Sequence, residues 1–334
     1  MARMRIKDIA AEAGVSPATV SRVLNNRPGT MSEATRRRVE AVIGRTGYRP
    51  SNAARSLRGG RTHTVGVVLA DMSNPYSGAM LEALSDEAAN RDLSLMTAIS
   101  GSDAHREKEA IERLAAAGVD GLVVNSCREG QEAAASLSAI ARRVPTVLLD
   151  RPVPGSGLAV VTSDNDRLMH EMVEEVAGGG CSRIWLLTER GQTSAIRRER
   201  ARAFERERGA RGLDGGVLFP ADDRDEAARQ LVDAAGSDAG PVGLIAVNGL
   251  VLLRAIEAVG ATSLEVPRDV RLATFDEYAW NRVLFGGITT AVQDTRALAT
   301  AALDLAAKGR AAGRDTTVIP GHVIARASTG TARR

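Results

Sequence analysis

The sequence predicts a small all-α unit at the N-terminus, followed by a larger α/β body built on parallel sheets. Three observations carry this reading. Residues 6–24 hold two short amphipathic helices broken at Gly14. From Thr64 onward, short apolar runs alternate with amphipathic stretches. Charge is divided unevenly: residues 1–61 hold 13 Lys and Arg against 4 Asp and Glu, a net of +9, whereas residues 62–334 hold 31 against 37, a net of −6. A chain of 334 residues is too long for one hydrophobic core and implies two or three domains.

At the second helix, Ser16 is a good N-cap, and Pro17 takes the first helical position, where its missing N–H costs nothing. Ile9, Ala10 and Ala13 on the first helix can pack against Val20, Val23 and Leu24, with Val15 filling the corner. That is a helix-turn-helix, whose second helix enters the DNA major groove. Its exposed side would carry Pro17, Ala18, Thr19, Ser21 and Arg22, residues small enough or polar enough to approach base edges. A third helix is signalled by Ser32 as N-cap, the stripe Val39, Val42 and Ile43, and Gly47 as its stop. A basic head on an acidic body is the footprint of a nucleic-acid-binding module joined to something that does not bind nucleic acid.

In the body, strands are expected at 65–70, 93–98, 121–125, 146–150, 159–163, 183–188, 243–247, 270–275 and 289–292. Amphipathic stretches such as 78–91, 106–117 and 168–177 lie between them. Strands apolar throughout and spaced by helices imply parallel sheets covered on both faces. No segment repeats at a solenoid period.

Several function classes fall away. A dinucleotide-dependent dehydrogenase needs Gly-x-Gly-x-x-Gly after its first strand, where this chain has Asp71-Met72-Ser73-Asn74-Pro75. No Gly-x-Ser-x-Gly elbow is present for a serine hydrolase. The four histidines, His63, His105, His170 and His322, are scattered, and His170 sharing a helical face with Glu174 is too little for a metal. The expectation is a protein that is not an enzyme and uses no metal or cofactor. Cys127 and Cys181 lack metal-ligand spacing and fit a reducing cytoplasm. No secretion signal or membrane span is expected, since the basic N-terminus lacks an apolar run.

The first 60 residues closely resemble the headpiece of LacI/GalR-type bacterial transcriptional regulators. The matching stretches are 6–10, 14–16, 18–25, 47–50 and 52–58, and the likeness continues through Thr64–Val68 and Asp71–Tyr76. The family usually has Thr where this chain has Arg5, so the N-terminal capping box is incomplete although Asp8 remains. The resemblance implies a headpiece over 1–50, a hinge helix or linker over 51–61, and an effector-binding and dimerisation domain over 62–334. That body would be periplasmic-binding-protein-like, with two parallel-sheet subdomains split near 163 and 290.

The resemblance also implies site residues. DNA contacts would come from Ser16, Pro17, Ala18, Thr19, Ser21, Arg22 and Asn25, and from Asn52, Arg55, Leu57 and Arg58 of the hinge. Arg22 would read a guanine edge, and Leu57 would enter a central base step from the minor groove. Small ligands of open α/β sheets sit at the carboxyl ends of strands, where Asp71, Asn74, Tyr76, Asp150, Arg151, Asn248 and Asp276 fall. Asp276 matches the family's acid that accepts hydrogen bonds from the effector, Arg200 its clamping arginine, and Asn248 the asparagine of an Asn-Asp pair. The partner of that asparagine is replaced by Gly249, and where many sugar-binding members carry a stacking aromatic the chain reads Pro220-Ala221-Asp222-Asp223. The expected protein is a repressor, dimeric on a palindromic operator in double-stranded DNA and tuned by a sugar-like effector. The C-terminal 325–334 lacks the leucine heptads that make tetramers. The alternative is a DNA-binding regulator whose body is a dimerisation scaffold without an effector; a solute-binding protein would lack the headpiece.

Overall fold

The computed structural model describes residues 4–24, 31–48, 61–189, 194–236, 240–307 and 315–330. It forms two compact units, Met1–Thr62 and His63–Arg334. Residues 51–60 of the expected hinge lie outside the described residues.

The first unit holds α1 (Ile6–Ala13), α2 (Pro17–Leu24) and α3 (Glu33–Thr46). Gly14 ends α1 at φ 62°, ψ 40°, a left-handed conformation in which a Cβ would be strained. Asp8 accepts the Arg5 backbone N–H at 2.6 Å. A guanidinium has no acceptor to return that bond, so half of the capping box forms. Ile9, Ala10, Ala13, Val20, Val39 and Val42 are buried together, with Val15, Val23, Leu24 and Ile43 packed against them. Arg45 of α3 pairs with Glu12 of α1.

The second unit has two lobes, each on a six-stranded sheet. The first sheet holds β1 (Thr64–Leu69), β2 (Ser94–Ile99), β3 (Gly121–Val124), β4 (Thr146–Leu149), β5 (Ala159–Ser163) and β11 (Thr316–Ile319). Their order is β11-β5-β4-β3-β1-β2, and every pairing is parallel. Alternate residues of β1 serve opposite faces, as the two-residue period requires. Val65, Val67 and Leu69 pack with Met80 and Leu84 of α4 (Pro75–Ala89) and Leu298 and Leu303 of α11 (Thr295–Ala307). Val68 joins Leu122 and Val124 against α5 (Ala104–Ala116) and α6 (Gly130–Ala141).

The second sheet holds β6 (Arg183–Leu187), β7 (Asp214–Leu218), β8 (Val242–Ala246), β9 (Val270–Phe275), β10 (Thr289–Val292) and β12 (His322–Ile324), in the order β12-β10-β9-β8-β6-β7. Its core is closed by Met169 and Met172 of α7 (Asn165–Gly178), Phe204 of α8 (Ala195–Ala210), Leu231 of α9 (Arg224–Ala235) and Leu252 of α10 (Gly249–Gly260). The two strand orders are the same, so β4 of one lobe corresponds to β9 of the other.

Every expected strand is present, each limit within one residue of its expected place. Three strands were not expected. β7 contains Gly215 and Gly216, and β11 and β12 are short, half-exposed edge strands with no continuous apolar run. The sheets are parallel as expected but for one edge, where β12 pairs antiparallel with β10. The chain crosses between lobes after β5, after β10 and again between β11 and β12. Ser163 Oγ donates to Gln293 Oε1 at 2.7 Å, tying two of these crossings together.

Candidate functional site

In the first unit, α2 exposes Ser16, Pro17, Ala18 and Arg22, while Thr19 and Ser21 are half-buried. Ser16 Oγ accepts the Thr19 N–H at 3.2 Å and lies 3.0 Å from Thr19 Oγ1, so both side chains fix the turn. Val20 anchors the helix from below with no exposed surface. Arg22 makes no hydrogen bond or ion pair among the described residues and presents its guanidinium to solvent. Asn25, Asn52, Arg55, Leu57 and Arg58 lie outside the described residues.

In the second unit, strand carboxyl ends from both lobes face a cavity of about 530 Å³. Asp71, Asn74 and Arg151 line it from one lobe, and Glu189, Arg197 and Arg254 from the other. Of the six residues expected to bind an effector, Asp71 is the one that lines this cavity; it accepts from Ser73 N and Oγ at 2.8 and 2.6 Å. Tyr76, Asp150, Arg200, Asn248 and Asp276 are buried beside it.

Local structure places each of them. Asp150 follows β4 and Asp276 follows β9, both at positive φ, 66° and 73°. Aspartate tolerates this left-handed region better than most residues, and the conformation turns each carboxylate off its strand end. Asn248 caps α10, accepting the Val251 N–H at 2.9 Å and donating to Glu189 Oε1 at 3.3 Å. Arg200, from α8, donates from Nε to Asn165 Oδ1 at 2.8 Å and from Nη1 to the Val247 carbonyl at 2.7 Å. Its guanidinium carbon stands 3.9 Å above the Phe275 ring centroid, a cation–π contact in a dry setting.

Asp276 accepts from Gln293 Nε2 at 2.5 Å and from Tyr278 Oη at 3.2 Å. Burial nevertheless raises its carboxyl above the ordinary aspartate value, against the pull of Arg200, Gln293 and Tyr278. Burial likewise drives the Tyr76 phenol well above its usual range, helped by Asp150 and Asp276. The Tyr76 hydroxyl and Asp150 Oδ1 are buried polar atoms without a hydrogen-bond partner. Arg197, paired with Glu189 at 2.5 Å, is held below the usual arginine value by burial.

Asn74, expected just beyond the first strand, lines the cavity, whereas sequence reasoning missed Asn165, Gln293, Tyr278 and the Arg197–Glu189 pair. One signal was available for Tyr278. Gly249 departs from the family pattern, and a Cβ there would stand 2.2 Å from Tyr278 Cε2, so the ring occupies the room a side chain at 249 would need. Among the described residues no group of three His, Cys, Asp or Glu could hold a metal ion. Burial pushes the Cys127 thiol up to about 12 and Cys181 up to about 11, far from a thiolate nucleophile. No helix among the described residues is long and apolar enough to cross a membrane.

A basic helix-turn-helix unit and a two-lobed α/β unit with a polar cleft together define a DNA-binding transcriptional regulator with a periplasmic-binding-protein-like body. Residues 5–51 match the bacterial regulatory proteins of the lacI family, and residues 173–329 match the periplasmic binding protein-like domain. The chain is 32% identical over 302 residues to the HTH-type transcriptional regulator PtxS of Pseudomonas plecoglossicida, covering 90% of this chain and 87% of that one. It is 28% identical over 303 residues to the HTH-type transcriptional regulator KdgR of Bacillus subtilis (strain 168), covering 90% and 89%. This chain belongs to the LacI family of bacterial regulatory proteins. Its fold is that of the Lac repressor dimer bound to operator and the anti-inducer ONPF (TM-score 0.85, 23% identity, 98% of this chain and 99% of that one). The transcriptional regulator CelR in complex with cellobiose is also similar (TM-score 0.68, 24% identity, 98% and 100%).

Proposed function

We propose that this regulator is a cytoplasmic repressor that binds a palindromic operator as a homodimer and is tuned by a sugar-like effector in the cleft between its lobes. The observation that carries the DNA half is α2, anchored by Val20 with Ser16, Pro17, Ala18 and the unpaired Arg22 outward. In this reading Arg22 donates to a guanine edge, Pro17 and Ala18 make apolar contacts, and Thr19 and Ser21 hold the turn or phosphate. Asn25 joins them at the helix end. From the hinge, Leu57 wedges into the central base step while Asn52, Arg55 and Arg58 hold phosphate or minor-groove edges.

The effector half rests on the under-satisfied polar cluster. Buried polar atoms are ordinarily hydrogen-bonded, yet the Tyr76 hydroxyl and Asp150 Oδ1 are not. A ligand carrying several hydroxyls would satisfy them together with Asp71, Arg200, Asn248 and Asp276. Cellobiose bound to CelR and ONPF bound to the Lac repressor support the class of ligand. Dimerisation is supported by the Lac repressor dimer and by β2, an edge strand that exposes Met96 and Ile99.

The test is operator selection from random duplexes with the full chain, followed by titration of the selected complex with a panel of mono- and disaccharides and sugar acids. One or more should shift the operator affinity, because linkage requires a ligand to act through its differential affinity for two states. A palindrome bound unchanged by every sugar, with no heat of binding to the free protein, would leave the scaffold reading in its place.

A further inference from the structure

We propose that Tyr278 is a latch that joins the two lobes across the cleft, on the ground an effector's hydroxyl would take. The inference rests on reading the cleft as an effector site, but its test needs no effector.

Tyr278 follows β9 in the second lobe and is buried. Its hydroxyl stands 3.2 Å from Asp276 Oδ2 in its own lobe and 3.2 Å from Asn74 Oδ1 in the other. Asn74 caps α4 and lines the cavity, whereas Asp276 lies beneath it. The hydroxyl therefore sits where the open cavity meets the buried polar cluster. A tyrosine that merely filled the core would have no reason to send its hydroxyl into the opposite lobe.

The ring is seated as well as bonded. Trp280 stacks on it at 4.8 Å between centroids and 21° between planes. On the α10 side the ring edge lies against Gly249, where a Cβ would fall 2.2 to 3.0 Å from three ring carbons. The absent side chain at 249 and the ring of Tyr278 are thus one arrangement: the space given up by the first is filled by the second.

The bond is also replaceable. One hydroxyl proton faces two acceptors, and Asn74 Oδ1 already accepts the Tyr76 N–H at 3.1 Å. Neither acceptor is fully served. A ligand bringing a separate donor to each would serve both, and would also reach the unpartnered Tyr76 hydroxyl and Asp150 Oδ1. Ligand entry then exchanges one shared intramolecular bond for several, which couples occupancy of the cleft to the contact between lobes.

Hydrogen exchange of the full-length protein, with no small molecule added, tests this in two variants. Tyr278→Phe keeps the ring and removes the hydroxyl; Gly249→Ala keeps the hydroxyl and displaces the ring. In both, peptides over 74–80 in one lobe and 276–282 in the other should exchange about five-fold faster, the scale set by one lost hydrogen bond, while β1 and β8 keep wild-type rates. Acceleration confined to 276–282 would make Tyr278 a brace within its own lobe and overturn the latch. Wild-type exchange over 74–80 in either variant would overturn it equally. Sugars that leave operator binding of the wild type unchanged would count against the effector reading, while the exchange pattern alone decides the latch.

Discussion

The two lobes share one strand order, and in each the corresponding strand, β4 or β9, is followed by an aspartate in the left-handed conformation, yet they treat that residue differently. In the second lobe Asp276 accepts from Gln293 and Tyr278 and feels the charge of Arg200. In the first lobe the corresponding Asp150 leaves Oδ1 buried and unpartnered. One wall of the cleft is internally hydrogen-bonded, and the other carries a buried acceptor without a partner. A shared strand order thus does not impose shared chemistry at the strand ends.

The sharpest way to break that contrast is Arg200→Ala. The change strips Asn165 Oδ1, the Val247 carbonyl and the Asp276 carboxylate of their cation at one stroke. We expect a loss of about 3 kcal/mol in chemical denaturation, the scale of an uncompensated buried charge. A loss near zero would show that the second lobe is not held together by this residue.

Asp276→Asn should act in the opposite direction on stability. The folded protein raises the Asp276 carboxyl above its ordinary value of 3.8. Between that value and the folded one, the native state holds a proton that the unfolded chain has released, so stability falls as pH rises through the window. Removing the charge should raise the thermal midpoint at neutral pH and flatten its decline above pH 4, while abolishing any sugar response. An unchanged pH dependence would show that Asp276 is not the group responsible.

Asp150→Asn should change stability by less than about 1 kcal/mol, since one of its oxygens has no bond to lose, and should still remove the sugar response. Smaller again is the exposed Arg198–Glu129 pair, which spans the lobes at 2.7 Å. Glu129→Gln should cost no more than about 0.5 kcal/mol and leave exchange over 74–80 at wild-type rates. A large effect there would move the lobe contact from the buried cluster to the surface.

Legibility in the sequence divided between locally determined elements and those that depend on distant partners. Headpiece helices and central strands were readable because caps at Ser16 and Ser32 and unbroken apolar runs act locally. The edge strands β7, β11 and β12 were not, because an edge needs few apolar residues and β7 carries two glycines. The strand order common to the two lobes left no repeat in the sequence, since parallel strands tolerate many apolar fillings that keep the volume. Asp150 and Asp276 could be placed at strand ends from spacing alone. Tyr278 could not: its role depends on Asn74, 204 residues away, and on the room left at Gly249.

The central claim is that α2 reads base edges through Arg22 rather than holding DNA by charge alone. Fluorescence anisotropy at one fixed salt concentration, comparing wild type and Arg22→Ala on the selected operator and on a scrambled duplex, tests it most directly. The account predicts a loss of about 1–3 kcal/mol on the operator, relaxed preference at one base pair per half-site, and little change on scrambled DNA. Equal losses on both duplexes would reduce Arg22 to a phosphate contact and contradict the assignment of α2 as the reading helix.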